Sequence, residues 1–386
     1  MFKYLFKRDT LFATVAVFLV MGMFSFIPIN THVLDPIHLA LADFDYNDLA
    51  YAKMHKNENT PTDTNIVIVN IGYGTRQDIA AMINRINSQN PKVIGVDVLF
   101  NAKKDVAGDS VLLKLFATNK KLVGAFNINA KGNRGYFYEQ SINKGFANFV
   151  GEEEGVIRHF TPLEKKEQIP AFAVSVIKIA DQKSYDALLK RKYLTEIINY
   201  KRKADKYLVV DGLDLVNGKA ISTLFANKIV LLGYVANNVN DIEDKHFTPT
   251  NEKYTGKSLP DMNGVFIHAN IISMIKEGNY IHKISPWLMW CIAFLLCWLH
   301  MALFIKDYLD NHIWFHLLAK IAQLISAVFF VYLGLLCFDQ FDTQVNMKAT
   351  LIAIILAVDV LYFYEAFAKW MHRKKVFKTI FTHKHD

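Results

Sequence analysis

Four long apolar runs stand apart from a middle section patterned in short segments. The runs cover residues 11–29, 287–305, 314–338 and 347–368. At 1.5 Å per residue the first reaches about 28 Å, close to a bilayer core of roughly 30 Å. Each is long enough for a spanning helix. The two eight-residue connectors between the last three suit tight helical hairpins. Buried core helices of a soluble protein are the alternative, but Trp and Tyr near the run ends favour spans. Lys3, Lys7 and Arg8 before the first run also fit a signal peptide. The stretch MFSFIPINTH, however, lacks a small-x-small cleavage site, which favours an uncleaved anchor.

The section between the first and second runs has shorter periods. The β-branched run 64–72 predicts a buried strand. Residues 75–91 follow with Ile79, Met82, Ile83 and Ile86 at helical spacing, closed by Pro91. A second strand is predicted over 92–100, a helix over 109–119 and a strand over 121–128. A helix over 170–181, strands near 195–210, a strand over 227–235 and a helix from Gly264 complete the series. Strand and helix alternating in this way predict an α/β domain with a mainly parallel sheet and right-handed crossovers. The expected whole is therefore an α/β extracytoplasmic domain over 30–285 plus four transmembrane α-helices.

Charge sets the expected orientation. Of 386 residues, 52% are hydrophobic, and the net charge is +8. The N-terminus (1–10) and the tail (369–386) are basic, whereas the 339–346 loop carries Asp339 and Asp342 and no base. Four spans put both termini on one side, and the basic flanks make that side cytoplasmic. The excess of base then needs no nucleic acid; the tail is suited to anionic membrane lipid or to an acidic partner. The three cysteines, Cys291, Cys297 and Cys337, all fall in the apolar runs, so the middle section has no disulfide, zinc-thiolate site or thiol nucleophile.

Motifs for catalysis are missing. NIGYG after the first strand is neither a dinucleotide fingerprint nor a P-loop, and no G-x-S-x-G or H-E-x-x-H occurs. We expect no catalytic residue, no metal and no cofactor. In open α/β sheets ligands sit beyond the carboxyl ends of the strands, which here include 72–75, 97–101, 127–131 and 234–240. Asp97 ends a strand and is a candidate ligand contact; a capping role is the alternative. The acid-rich run 240–250 gathers Asp241, Glu243, Asp244 and His246, but it lacks the spacing of a calcium loop and reads as solvated. An envelope hydrolase using Asp97 and Asp241 rests only on strand-end placement.

Within GVFIHANIISMI (264–275), His268 and Asn270 interrupt an apolar helix. They point about 200° apart and cannot form one site together. Both are expected to be structural polar residues, His268 packing with a backbone or carboxylate partner. In the spans, Lys320 and Asp359 stand out as costly charges. They lie roughly 9 Å and 13 Å from the cytoplasmic ends of their helices, which suggests an intramembrane pair locking the hairpin. Snorkelling is the alternative for Lys320, and a contact with another subunit the alternative for Asp359.

Several segments together carry a family resemblance: IVIVNIG, VIGVDVLF, GFANFVGEEEGVIRHFTPL, FANKIVLLGYVANNVNDIEDKHFTP and MNGVFIHANIISMI. In order and spacing, residues 30–285 resemble the CHASE sensory domains of the second type, extracytoplasmic modules of bacterial signalling receptors. One anchor before the domain and three spans after it match the family plan. The resemblance implies a sensor in the bacterial inner membrane, its main domain periplasmic, and it draws attention to Arg158 as a ligand contact beside Asp97 and Asp241. Glu154 and Gly155 stand where the family often has Asp-Gly before that arginine. Such domains commonly precede a cyclase or kinase, whereas 18 residues follow Ala368 here. The expectation is a sensor-like protein passing its stimulus to a separate signalling or envelope-complex protein, with a homodimer left open. The alternative is a non-catalytic structural or assembly subunit of an envelope complex.

Overall fold

The computed structural model describes residues 2–26, 47–54, 60–128, 134–150, 155–219, 223–238, 240–251, 259–310 and 313–382. Glu154 and residues 129–131, which the sequence placed near a strand end, lie outside this set. The chain divides into two compact units, residues 37–281 and a second unit formed by 1–36 with 282–386.

The first unit is built on six strands: β1 (Asp63–Asn70), β2 (Val93–Val96), β3 (Leu122–Phe126), β4 (Asn143–Phe146), β5 (Tyr207–Asp211) and β6 (Ile229–Gly233). Their order across the sheet is β4-β3-β2-β6-β1-β5, and every neighbouring pair is parallel. Central strands of a parallel sheet are covered on both faces and read as unbroken apolar runs. Here Ile66–Val69, Val93–Val96 and Ile229–Leu232 are buried throughout.

Helices α2 (Arg76–Asn87) and α3 (Val106–Thr118) pack on one face, where Ile79, Met82, Ile83, Ile86, Leu112 and Phe116 join the strands in one core. Thr75 and Asp78 form a reciprocal capping box that starts α2, and the Asp105 carboxylate accepts from Ala107 N and Gly108 N to start α3. Buried Arg76 pairs with Asp109 and lies over the rings of Phe100 and Phe137, tying the two helix starts together.

The other face carries α4 (Phe172–Ala180), followed by α5 (Gln182–Lys190), and α6 (Gly264–Glu277). Two glycines let these helices come close. A Cβ on Gly145 of β4 would lie 2.6 Å from Cα of Phe172, and one on Gly233 of β6 would lie 2.7 Å from Cβ of Val265. Alanine at either position forces the helix away from the sheet. Asn270 of α6 clamps residue 202 from both sides: it accepts from Arg202 N at 3.2 Å and donates to Arg202 O at 3.0 Å. Arg202 also meets Glu277 at 2.7 Å.

The second unit holds four helices long and apolar enough to cross a membrane: α1 (Arg8–Ser25), α7 (Pro286–Asp310), α8 (Phe315–Phe341) and α9 (Lys348–Arg373). They share an apolar interior that includes Val17, Phe304, Phe315, Ala357 and Leu361. The fold is thus the expected parallel α/β domain together with four such helices. The anticipated lock between Lys320 and Asp359 is absent: neither makes an ion pair or hydrogen bond among the described residues, and both face outward. The polar links between α8 and α9 include instead buried Gln323, whose amide donates to Ile354 O at 2.8 Å and Ile355 O at 2.9 Å. Lys320 and Asp359 sit to one side of that contact line, so each is turned away from the neighbouring helix.

The basic tail is also more than a charged extension. Buried Asp9 accepts from Thr379 Oγ1 at 2.8 Å, Ile380 N at 3.2 Å and Tyr364 Oη at 2.9 Å. Phe381 is buried, and Arg8 donates to Lys378 O at 2.9 Å. One carboxylate therefore holds the tail, α9 and the start of α1 together. Asp9→Ala leaves three donors without their acceptor, a loss of about 1–3 kcal/mol per buried group. We expect a lower melting temperature in detergent and faster tryptic cleavage at Lys374, Lys375 and Lys378; cleavage at the wild-type rate contradicts this role.

Candidate functional site

Three strands end together at one edge of the sheet. Asp97 follows β2, Asn127 follows β3, and Ala147, Asn148 and Phe149 follow β4. The first turn of α6 faces them with Gly264 and His268, four residues apart and so on one side of the helix. Asp244 and His246 arrive on a two-residue antiparallel ladder in which His246 pairs with Met262 and Lys245 with Asn263. Together these residues line a cleft of about 290 Å³. It lies beyond the carboxyl ends of parallel strands, where the sheet geometry predicts a ligand site.

The backbone holds Asp97 at the floor through Asp97 N donating to Leu232 O at 2.8 Å. No hydrogen bond reaches its carboxyl among the described residues. His268 Nε2 stands 3.7 Å from Asp97 Oδ1, beyond a hydrogen bond. Its ring lies between Phe149, at 4.7 Å, and the edge of Phe172, at 5.0 Å, and its Nδ1 is buried without a partner. Desolvation governs both groups. Burial, with help from the nearby Asp244 carboxylate, pushes the Asp97 carboxyl well above its ordinary value. Burial, with a lesser contribution from His246, lowers His268 to about 3. Both shifts disfavour the charged form, so burial works against an ion pair at this position.

On the opposite wall Asn148 Nδ2 donates to Asn127 Oδ1 at 3.0 Å, and Asn148 Oδ1 accepts from Ile128 N at 2.8 Å. Phe126 and Phe149 add aromatic surface, and among the described residues no lysine or arginine lines the cleft. Among the described residues, no three His, Cys, Asp or Glu side chains come together as a metal site.

The other residues singled out in the sequence lie elsewhere. Asp241 is outside the cleft; it accepts from Tyr234 Oη at 2.6 Å and from the backbone of Asn237 and Glu243, and these bonds lower its pKa. Asp241 is thus not among the described residues that line the cleft with Asp97. Arg158 makes a two-point contact with Asp48, Nε to Oδ1 at 3.0 Å and Nη2 to Oδ2 at 2.6 Å. It anchors the 47–54 segment to the domain instead of lining the cleft. His268 and Asn270 are separated as their angular offset requires, but only Asn270 is fully satisfied.

Sequence reasoning missed Asn148 and Phe149, because β4 has only four residues, NKGF, and no apolar pattern. It saw Asp244 and His246 but read their run as solvated. The signal that relocates them is Asp244 itself, whose backbone adopts φ of 54° and whose carbonyl accepts from Gly264 N at 3.1 Å.

The neutral state of His268 has a measurable sign. Its folded pKa lies below the ordinary value of about 6.5, so the unfolded chain binds a proton that the folded chain refuses. The stability it contributes is present above pH about 6.5 and falls as the pH drops toward about 3. We expect His268→Gln to lose stability at pH 7.5 and to flatten the decline between pH 6.5 and 4, read as melting temperature against pH. A parallel decline in the two proteins contradicts the assignment.

The model of the CHASE2 domain family matches residues 16–305. That match begins within α1 and ends within α7, so it takes in the whole α/β unit and parts of the flanking membrane-length helices. No curated protein and no solved structure matches the chain. Family match, parallel sheet and four membrane-length helices agree: the chain belongs to the CHASE2 domain family of extracellular sensor domains.

Proposed function

We propose that this protein is a non-catalytic inner-membrane sensor whose α/β domain lies outside the cytoplasm, with both termini inside. The observation that carries the reading is the cleft, where buried His268, its Nδ1 unpartnered, stands 3.7 Å from the half-buried Asp97 carboxyl on another element of the fold. Such a site is poorly satisfied when empty and gains contacts when filled. The basic residues 3, 7 and 8 and the basic tail support the orientation. His268 belongs to α6, the last helix before the chain enters the membrane-length helix α7. A ligand that draws on His268 therefore acts on the element joined by the shortest connection to that helix. From there the stimulus passes to a separate signalling protein.

The charge of the lining narrows the ligand. Two carboxyl groups, two imidazoles, two amides and aromatic walls favour a small organic cation, which the acids and ring faces both attract. Burial holds the Asp97 carboxyl well above its ordinary value. A bound cation stabilises its ionised form, so binding expels the Asp97 proton. Affinity then rises with pH, by about tenfold per unit while Asp97 is protonated in the free protein.

The test is a panel of methylammonium, choline, putrescine and lysine, each with an anionic counterpart, read by melting of the full-length protein. At least one cation should raise the melting temperature at pH 8 more than at pH 6. Leu99→Trp, which fills the cleft from an exposed wall position, should abolish the effect, and Asp97→Asn should remove its pH dependence. Stabilisation by anions alone, or a cation effect that survives Leu99→Trp, overturns the reading.

A further inference from the structure

Lys320 and Asp359 are opposite charges on helices long enough to span a membrane, yet both are exposed and neither is paired among the described residues. An ionisable group facing hydrocarbon is costly, and such residues ordinarily face a partner. Two contacts fix where these charges lie. Gln323 donates to Ile354 O and Ile355 O, and Tyr362 Oη lies 2.8 Å from His316 Nε2.

Depth follows from the rise per residue. Lys320 is three residues from Gln323 and four from His316, while Asp359 is four residues past Ile355 and three before Tyr362. At 1.5 Å per residue in antiparallel helices, the two charges stand at nearly one depth, within about 2 Å. Direction follows from the turn per residue. Lys320 is rotated about 60° from Gln323, and Asp359 about 60° from Tyr362, whose ring meets His316, both in the sense of advancing residue number. Because the helices run in opposite directions, these offsets put both side chains on the same side of the α8–α9 hairpin. Leu324 and Ile352 are exposed on that same side.

We propose that this face of the hairpin docks a second copy of the chain about a two-fold axis along the membrane normal. A two-fold in that direction preserves depth and exchanges left for right. It therefore brings Lys320 of each copy opposite Asp359 of the other, forming two ion pairs at once, while Leu324 and Ile352 are covered beside them. The interface is isologous, and its charges complement themselves only because the two residues share a depth and a side. A contact within one chain would use the same residues, so the experiment must separate the two arrangements.

Lys320→Asp and Asp359→Lys do so when expressed alone and together on differently tagged full-length chains. Wild type should be dimeric in native-membrane nanodiscs by single-particle mass, and each variant alone should dimerise at least about tenfold more weakly. Co-expressed, the two variants should form the mixed dimer, because one chain then presents two acids and the other two bases. An intrachain pair cannot be rescued that way, since each variant still carries like charges within its own hairpin. Lys320→Gln and Asp359→Asn, which carry no like-charge repulsion, should insert normally and still lose dimer. A monomeric wild type, single variants that dimerise as wild type does, or failure of the mixed pair to recover the dimer each overturns the proposal.

Discussion

Close packing of two helices on one face of the parallel sheet is the constraint from which the site follows. α4 and α6 approach through Gly145 and Gly233, where any Cβ would lie within 2.7 Å of the helix or its side chains. Val265 settles on Gly233, and three residues further along α6 His268 reaches the level at which β2 ends in Asp97. At that spacing no solvent layer separates the two groups from the core. Desolvation then shapes their chemistry: it raises the carboxyl well above its ordinary value and lowers the imidazole to about 3. A looser sheet–helix contact would hydrate both and restore ordinary titration. The helix is held at its other end as well, by Asn270 and Glu277 on Arg202. Its register over the cleft is therefore fixed at both ends.

Much of this was legible in the sequence because it is periodic. The β-branched runs that became β1, β2 and β6 and the helical spacing of α2 and α6 carry the fold. The four apolar runs carry the membrane-length helices. The capping box of Thr75 and Asp78, which the structure adds, starts α2 within a residue of the expected position. β4 was not legible, since its edge position and its glycine serve packing rather than a period-two pattern. The site was legible in part. Asp97 was marked by strand-end placement and His268 by its apolar surroundings. Their meeting was not, because it depends on which strand neighbours which, and β6 inserts between β1 and β2 from more than a hundred residues away.

Arg158 and Asp241 show the limit of motif-level transfer. Asp241 was marked by its place beside a strand end and Arg158 by the family resemblance, and both satisfy local structure: Arg158 against Asp48, Asp241 within its own loop. Lys320 and Asp359 show a different limit. Depth alone suggested a pair, but a pair also needs matching direction around each helix axis, which only the Gln323 contact line reveals. In the same unit, Asp9 gathers the chain's two ends at one buried carboxylate, a contact spanning 370 residues that no local pattern announces.

The central feature of the site is a neutral His268 beside Asp97. Nitrogen NMR of imidazole-labelled full-length protein in nanodiscs, with His268→Gln supplying the assignment, measures it directly. The account predicts that His268 shows a neutral imidazole pattern from pH 8 down to pH 5. An imidazolium signal for His268 at pH 6–7 that disappears in Asp97→Asn would show a charged pair and contradict it.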